Sequence, residues 1–140
     1  MGERDLASKI LGTAKAKRIA TQIEPDGRQP LELVRTKGWS YSVGNLDGLT
    51  LLANIAERVG VDLWKYHTAD GRSIRRAFDY LVPFAFGQKK WPDQQIGEWQ
   101  PEILFPLIRR ASARYQDQQH RALMKRVPAA EATDRSNLTL

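Results

Sequence analysis

The chain has 140 residues, room for one domain with a modest core. With 41% hydrophobic and 27% charged residues its composition is ordinary for a globular protein, and no apolar run is long enough to span a membrane, so no membrane partner is expected. Zero cysteines exclude disulfides and cysteine-ligated metals, while a net charge of +6 favours an anionic partner without ranking nucleic acid, acidic lipid or acidic polysaccharide.

Met1 is followed by Gly-Glu-Arg-Asp, not by a basic stretch and an apolar core, so the chain as written shows no secretory signal. Residues Asp5 to Ile23 read as a helix. Leu6, Ile10 and Ala14 recur at spacing four, Ala16, Ile19, Ala20 and Ile23 continue the apolar side, and Lys9, Lys15, Lys17 and Arg18 form the wet face. Glu24-Pro25-Asp26-Gly27 stops it, because proline lacks a donor and glycine accepts turn geometry. Arg28 to Lys37 contains Pro30 and reads as extended or irregular; Gly38 argues against a continuous helix through this region.

A second helix runs from near Ser40 to Val59, with Leu46, Leu49, Leu52, Ala53, Ala56 and Val59 as its buried stripe and Gly60 as a left-handed stop. Val61 to Ala69 is a connector holding Leu63, Trp64 and Tyr66. Asp70-Gly71 marks a turn, and Ser73 caps a helix that carries Ile74, Ala77, Phe78, Leu81 and Ala85, with Pro83 near its end. Gln88 to Trp99 is a polar, aromatic loop. Pro101 opens a last helix through Leu104, Leu107, Ile108, Ala111 and Tyr115 that continues to about Lys125, and Pro128 ends it. The expected organisation is one all-α domain over 1–127 and a loose tail over 128–140. Periodicity does not distinguish a helix bundle from a helical toroid.

The stretch from Gln29 through Arg35, Tyr41, Asn45 and Leu46 resembles a segment of the alginate lyase family, in which Glu-Leu-x-Arg is followed by a tyrosine and a Leu-rich helix. The resemblance continues through Gly60-Val-Asp-Leu-Trp64, Asp70-Gly-Arg-Ser-Ile-Arg75 and Trp91-Pro92, covering about Leu11 to Arg110. It implies part of an incomplete (α/α) toroid of antiparallel helix pairs, with β-elimination at a uronic acid as the reaction and an acidic polysaccharide as the partner. It also implies a periplasmic or secreted setting.

The chemistry explains the residue types. The proton on the carbon next to a uronate carboxylate is very weakly acidic, so the charge that develops on its removal needs stabilisation. A base takes that proton and an acid protonates the departing glycosidic oxygen. Family members use Asn, His, Arg and Tyr. The resemblance assigns Arg35 to carboxylate binding and neutralisation, which a planar, permanently charged fork suits. Tyr41 becomes the general acid, since a phenol is protonated at neutral pH; base work by the same residue needs a neighbouring positive charge, and Arg35 could supply one. Convergence of the two requires Arg35 on an irregular lead-in and Tyr41 in the first helical turn. The Arg-to-Tyr separation is one residue shorter than in the family.

The family also carries an Asn-His pair on an earlier helix pair. The two histidines here, His67 and His120, follow Tyr66 and Gln119 and do not match that position, so the expectation is an N-terminally truncated chain, weak or inactive by itself. Further substrate-binding candidates are Trp91, as a sugar platform in the polar loop, and Lys89 and Lys90 beside it; Trp39 and Trp64 read as packing residues. Arg75 and Asp79 have the spacing of a helical ion pair. Neither histidine has metal-ligand spacing and no acidic calcium loop occurs, so no metal or cofactor is expected. Two other functions compete: a non-catalytic remnant that binds acidic glycans, and a small basic helical nucleic-acid binder. The second rests on charge alone without a reading motif, and nucleic acid is not the expected partner.

Overall fold

A computed structural model describes residues 2–130 of the chain. The expected tail falls outside the described residues from 131 onward. The described residues are helical, with seven α-helices: α1 Glu3–Gly12, α2 Ala20–Gln22, α3 Pro30–Leu33, α4 Gly38–Glu57, α5 Ile74–Ala85, α6 Phe105–Ala111 and α7 Gln118–Met124. A π-helical turn, Lys15–Ile19, joins α1 to α2, and a 3-10 turn, Pro101–Leu104, leads into α6. Extended pairing among these residues is one antiparallel bridge between Lys37 and Gln95.

Helix α4 is the centre of the fold. It packs against α1, α3, α5, α6 and the 3-10 turn. Its apolar stripe of Val43, Leu46, Leu49, Ala53 and Ala56 is buried, and so are its polar residues Ser42, Thr50 and Asn54. Buried polar groups need partners. Asn54 Oδ1 accepts from Trp64 Nε1 at 3.1 Å, and Thr50 Oγ1 donates to Asp47 O at 2.9 Å. Trp39 and Trp64 are fully enclosed, as their reading as packing residues required.

Several local signals produce the structure they predict. Gly60 adopts φ +80° after α4, and the Ser73 side chain accepts from Arg76 N at the start of α5. The turn ahead of α3 holds Gly27 at φ +92°, where a Cβ would lie 2.0 Å from the Arg76 carbonyl oxygen, so glycine is required both by its backbone angle and by contact with α5.

Three expectations are corrected. The first helix is not uniform: the π-helical turn changes the register after α1. The spacing of five between Ala14 and Ile19 fits that wider turn, and Ala14, Ile19 and Ile23 are buried, whereas Leu6 and Ile10 are exposed. Within the segment expected to be irregular, Pro30 starts the one-turn helix α3, its fixed φ suiting a first helical position. The last helix is not continuous to Lys125. It breaks after α6, because Asp117 caps a new helix by accepting from His120 N at 2.8 Å.

Helix α7 is pinned by Arg75 of α5. Its guanidinium reaches both Asp117 carboxylate oxygens, at 2.8 and 3.3 Å, together with Gln119 Oε1 and Asp79, and it lies over the Tyr115 ring. The resulting hydrogen bonds from Arg75 and the His120 amide hold the Asp117 carboxyl down at about 2. His120 is buried, and its Nε2 lies 3.1 Å from Ile108 O; a carbonyl only accepts, so Nε2 carries the proton. Burial first, and then the charge of Arg75, push the His120 pKa down, against the Ile108 hydrogen bond and the Asp117 and Asp79 carboxylates, which push it up.

A group with a depressed folded pKa contributes stability that is present above its unfolded pKa and lost as pH falls towards the folded one. For His120 the loss begins below about 6.5. Thermal melts followed by circular dichroism are therefore expected to show a lower Tm at pH 5.5 than at pH 7.5. His120→Gln flattens that difference, and an equal pH dependence in the variant contradicts the assignment to His120.

Candidate functional site

The lead-in to α4 is a tight structure assembled from two segments. After α3 the chain turns through Val34 to Thr36, and Gly38 opens α4. Gly38 N donates to Gln94 O at 2.9 Å, and Ile96 N donates to Thr36 O at 2.9 Å, so the loop before the 3-10 turn is laced to the lead-in. A Cβ on residue 38 would meet Gln94 O at 3.1 Å and Leu33 O at 3.4 Å, which explains a glycine at this close approach of backbones.

This construction brings Arg35 and Tyr41 together. Six residues apart on a continuous helix, they would project from different faces. Here Arg35 stands in the turn and Tyr41 is the fourth residue of α4. The Arg35 guanidinium carbon lies 3.5 Å from the Tyr41 ring centroid. Arg35 Nη1 also donates to Glu32 Oε2 at 3.3 Å. The Arg35 side chain is 49% exposed and that of Glu32 20%, so the guanidinium is half open to solvent beside a more enclosed carboxylate. At such exposure a cation–π contact contributes about 0.5–1 kcal/mol and an ion pair about 0–1 kcal/mol. The pair orients a charged fork more than it stabilises the fold.

Two residues of the same stretch have roles that the sequence reading left unassigned. Gln29, 2% exposed, donates from Nε2 to Ser42 O at 3.1 Å and accepts from Asn45 Nδ2 at 2.8 Å. Asn45 is one turn beyond Tyr41 on α4, so Gln29 orients the polar residue next along that face. A glutamine before a proline carries no signal of burial, and sequence alone could not find this contact.

Trp91 is an anchor of the Gln88–Trp99 loop. Its ring lies edge-on to Trp39 at 5.4 Å and to Phe84 at 5.1 Å, with Tyr80 and Trp99 each 6.3 Å away, and its Nε1 is buried without a partner among the described residues. Lys89 and Lys90 are exposed at the head of that loop. Among the described residues no hydrogen bond, ion pair or ring contact joins Trp91, Lys89 or Lys90 to Arg35 or Tyr41.

The basic clusters elsewhere are largely structural. Arg75 pairs with Asp79 as its spacing suggested, Arg72 with Asp70, Arg110 with Asp47 and Arg114 with Glu57. His67 is exposed in the connector. No group of three or more His, Cys, Asp or Glu residues placed to hold a metal ion occurs among the described residues.

The sequence profile of the alginate lyase family matches residues 1–91. Among solved structures, a crystal structure of an alginate lyase from Bacteroides ovatus is similar, with a TM-score of 0.86 and 37% identity, covering 96% of this chain and 36% of that one. The chain thus spans about a third of the length of that enzyme. The likeness fits the all-α architecture expected from the sequence, a portion of a helical toroid. No curated protein matches the chain.

The Gln29–Asn45 contact makes a stability prediction. Gln29→Leu removes both hydrogen bonds, each with a net contribution of about 0.5–1.5 kcal/mol, a loss of about 1–3 kcal/mol in urea unfolding. A variant as stable as the parent would show that Asn45 and Ser42 O find partners without Gln29.

Proposed function

The chain belongs to the alginate lyase family, and from that premise we propose that it supplies the Arg35–Tyr41 part of a site that cleaves uronate-containing polysaccharides by β-elimination. The observation that carries this reading is the guanidinium of Arg35 seated 3.5 Å over the Tyr41 ring, inside the stretch that the family profile covers. A guanidinium over an aromatic face keeps its N–H groups in its own plane, directed outward, where a carboxylate meets them bidentately. Arg35 binds the uronate carboxylate and draws off the charge that develops when the neighbouring carbon loses its proton. Tyr41 delivers a proton to the departing glycosidic oxygen. Glu32 holds the Arg35 fork while no substrate is present, and a uronate carboxylate replaces it.

The net charge of +6 supports an acidic polymer as the partner. Lys89 and Lys90 attract it to the loop that carries Trp91. No helix among the described residues is long and apolar enough to cross a membrane. A polymeric substrate places the reaction in the periplasm or outside the cell.

The test is the ultraviolet absorbance of unsaturated uronate product when the purified chain meets alginate or polyglucuronate. Slow product release is the expected result. Arg35→Ala should lower kcat on the order of 100-fold, and Tyr41→Phe should abolish release. Undiminished release by Tyr41→Phe would remove tyrosine from the acid role. A folded chain that binds either polymer and releases no product would favour the non-catalytic glycan binder.

A further inference from the structure

We propose that Gln95 is the positioning residue of the Arg35–Tyr41 pair: its side-chain amide caps the first turn of α4 from the neighbouring loop and thereby sets the five-residue spacer between the two functional side chains. The inference rests on the reading of Arg35 and Tyr41 as the working pair and adds a residue that neither the spacing nor the family motif singles out.

A helix leaves its first-turn N–H groups without intrahelical acceptors. Lys37, at the N-cap of α4, supplies no side-chain cap. The three leading donors are instead met from the loop: Gly38 N by Gln94 O at 2.9 Å, and Trp39 N and Ser40 N by Gln95 Oε1 at 3.1 and 3.4 Å. Gln95 Nε2 then donates to Ser40 Oγ at 3.0 Å, so the amide is held at both ends and its orientation is fixed. The backbone of Gln95 forms the antiparallel bridge with Lys37. Its side chain therefore grips positions 39 and 40, while its neighbours Gln94 and Ile96 make the two bonds of that bridge, to Gly38 N and Thr36 O. Arg35 directly precedes this held stretch, and Tyr41 directly follows it. Without the cap the first turn frays, and the angle between lead-in and helix is no longer held. A misplacement of about 1 Å in a catalytic constellation can lower the rate on the order of 100-fold.

The variants follow from the chemistry of the cap. Gln95→Met keeps the size and removes the acceptor. Gln95→Glu keeps the acceptor and places negative charge at the helix N-terminus, where it is favourable. The readout is the ring-current shift of the Arg35 side-chain protons in the NMR spectrum of the full chain, which requires no catalytic turnover; Tyr41→Leu, which removes the ring, defines the unshifted value. The expected result is that Gln95→Met loses more than half of the upfield shift and Gln95→Glu retains it. A full shift in a folded Gln95→Met protein overturns the proposal. Should that variant not fold, hydrogen exchange in the parent decides: slow exchange at the Trp39 and Ser40 amides supports the cap, and exchange at the rate of a free helix end overturns it. Failure of the lyase reading shows separately, as product release that does not depend on Tyr41.

Discussion

The N-terminus of α4 is the constraint on which the rest of this structure depends. A 20-residue helix begins at a glycine, with no side-chain cap from its own N-cap residue, in the middle of the fold. Its leading donors must be satisfied, and the acceptors come from residues 94 and 95, more than fifty positions later. Docking that loop against the helix start also seats Trp91 against Trp39 and lets Trp39 Nε1 reach Gln100 O at 2.9 Å. The polar cap and the aromatic cluster are thus two sides of one contact. The cap fixes where the helix starts, and the rings exclude water from beneath it. Arg35 and Tyr41 stand at the edge of this contact, which explains how an exposed arginine acquires a defined partner.

Charge is used in a similar economy. The sequence shows an excess of cations, and charge alone suggests a surface made for an anion. Many of the arginines are instead occupied in holding helices together: Arg75 ties α5 to α7, Arg110 ties α6 to α4, and Arg114 reaches back to the end of α4 through Glu57. Each has a carboxylate partner, and each side chain is only about a quarter exposed. Arg35 differs in degree. It is half exposed and held by one long ion pair and an aromatic face. A carboxylate arriving from solvent displaces less there than at the interhelical arginines.

What the sequence made legible follows the range of the interaction. Ser73 and Gly60 signal local events, a cap and a left-handed stop, and both occur where read. The buried stripe of α4 was legible because its apolar residues recur at helical spacing. Leu6 and Ile10 misled: their spacing of four is helical, but burial was decided by the π-helical turn that follows. The break before α7 was missed because Asp117 acts as a cap only with Arg75 and the next turn in place. At the site, the proximity of Arg35 and Tyr41 was legible from a motif. Gln29 and Gln95 were not, since an amide side chain gives no sequence signal of the backbone that it will meet in the folded chain.

On the proposed reading the chain brings two of the three tasks of β-elimination into one short stretch: neutralising the carboxylate and protonating the leaving oxygen. Removal of the proton is the third, and its geometry restricts the possible substrates. If Tyr41 performs both proton transfers, the abstracted hydrogen and the departing oxygen must lie on the same face of the sugar, because one phenol oxygen has to reach both. A base on a different helix would approach from the other face and admit the epimer. Arg35 limits this choice further. With its guanidinium over the Tyr41 ring, a carboxylate that it binds is held near the phenol, and the carbon that bears the acidic hydrogen is brought there with it. The pair by itself therefore favours the uronate whose hydrogen and leaving oxygen share a face, and tolerance for the epimer would have to come from a group beyond Arg35 and Tyr41.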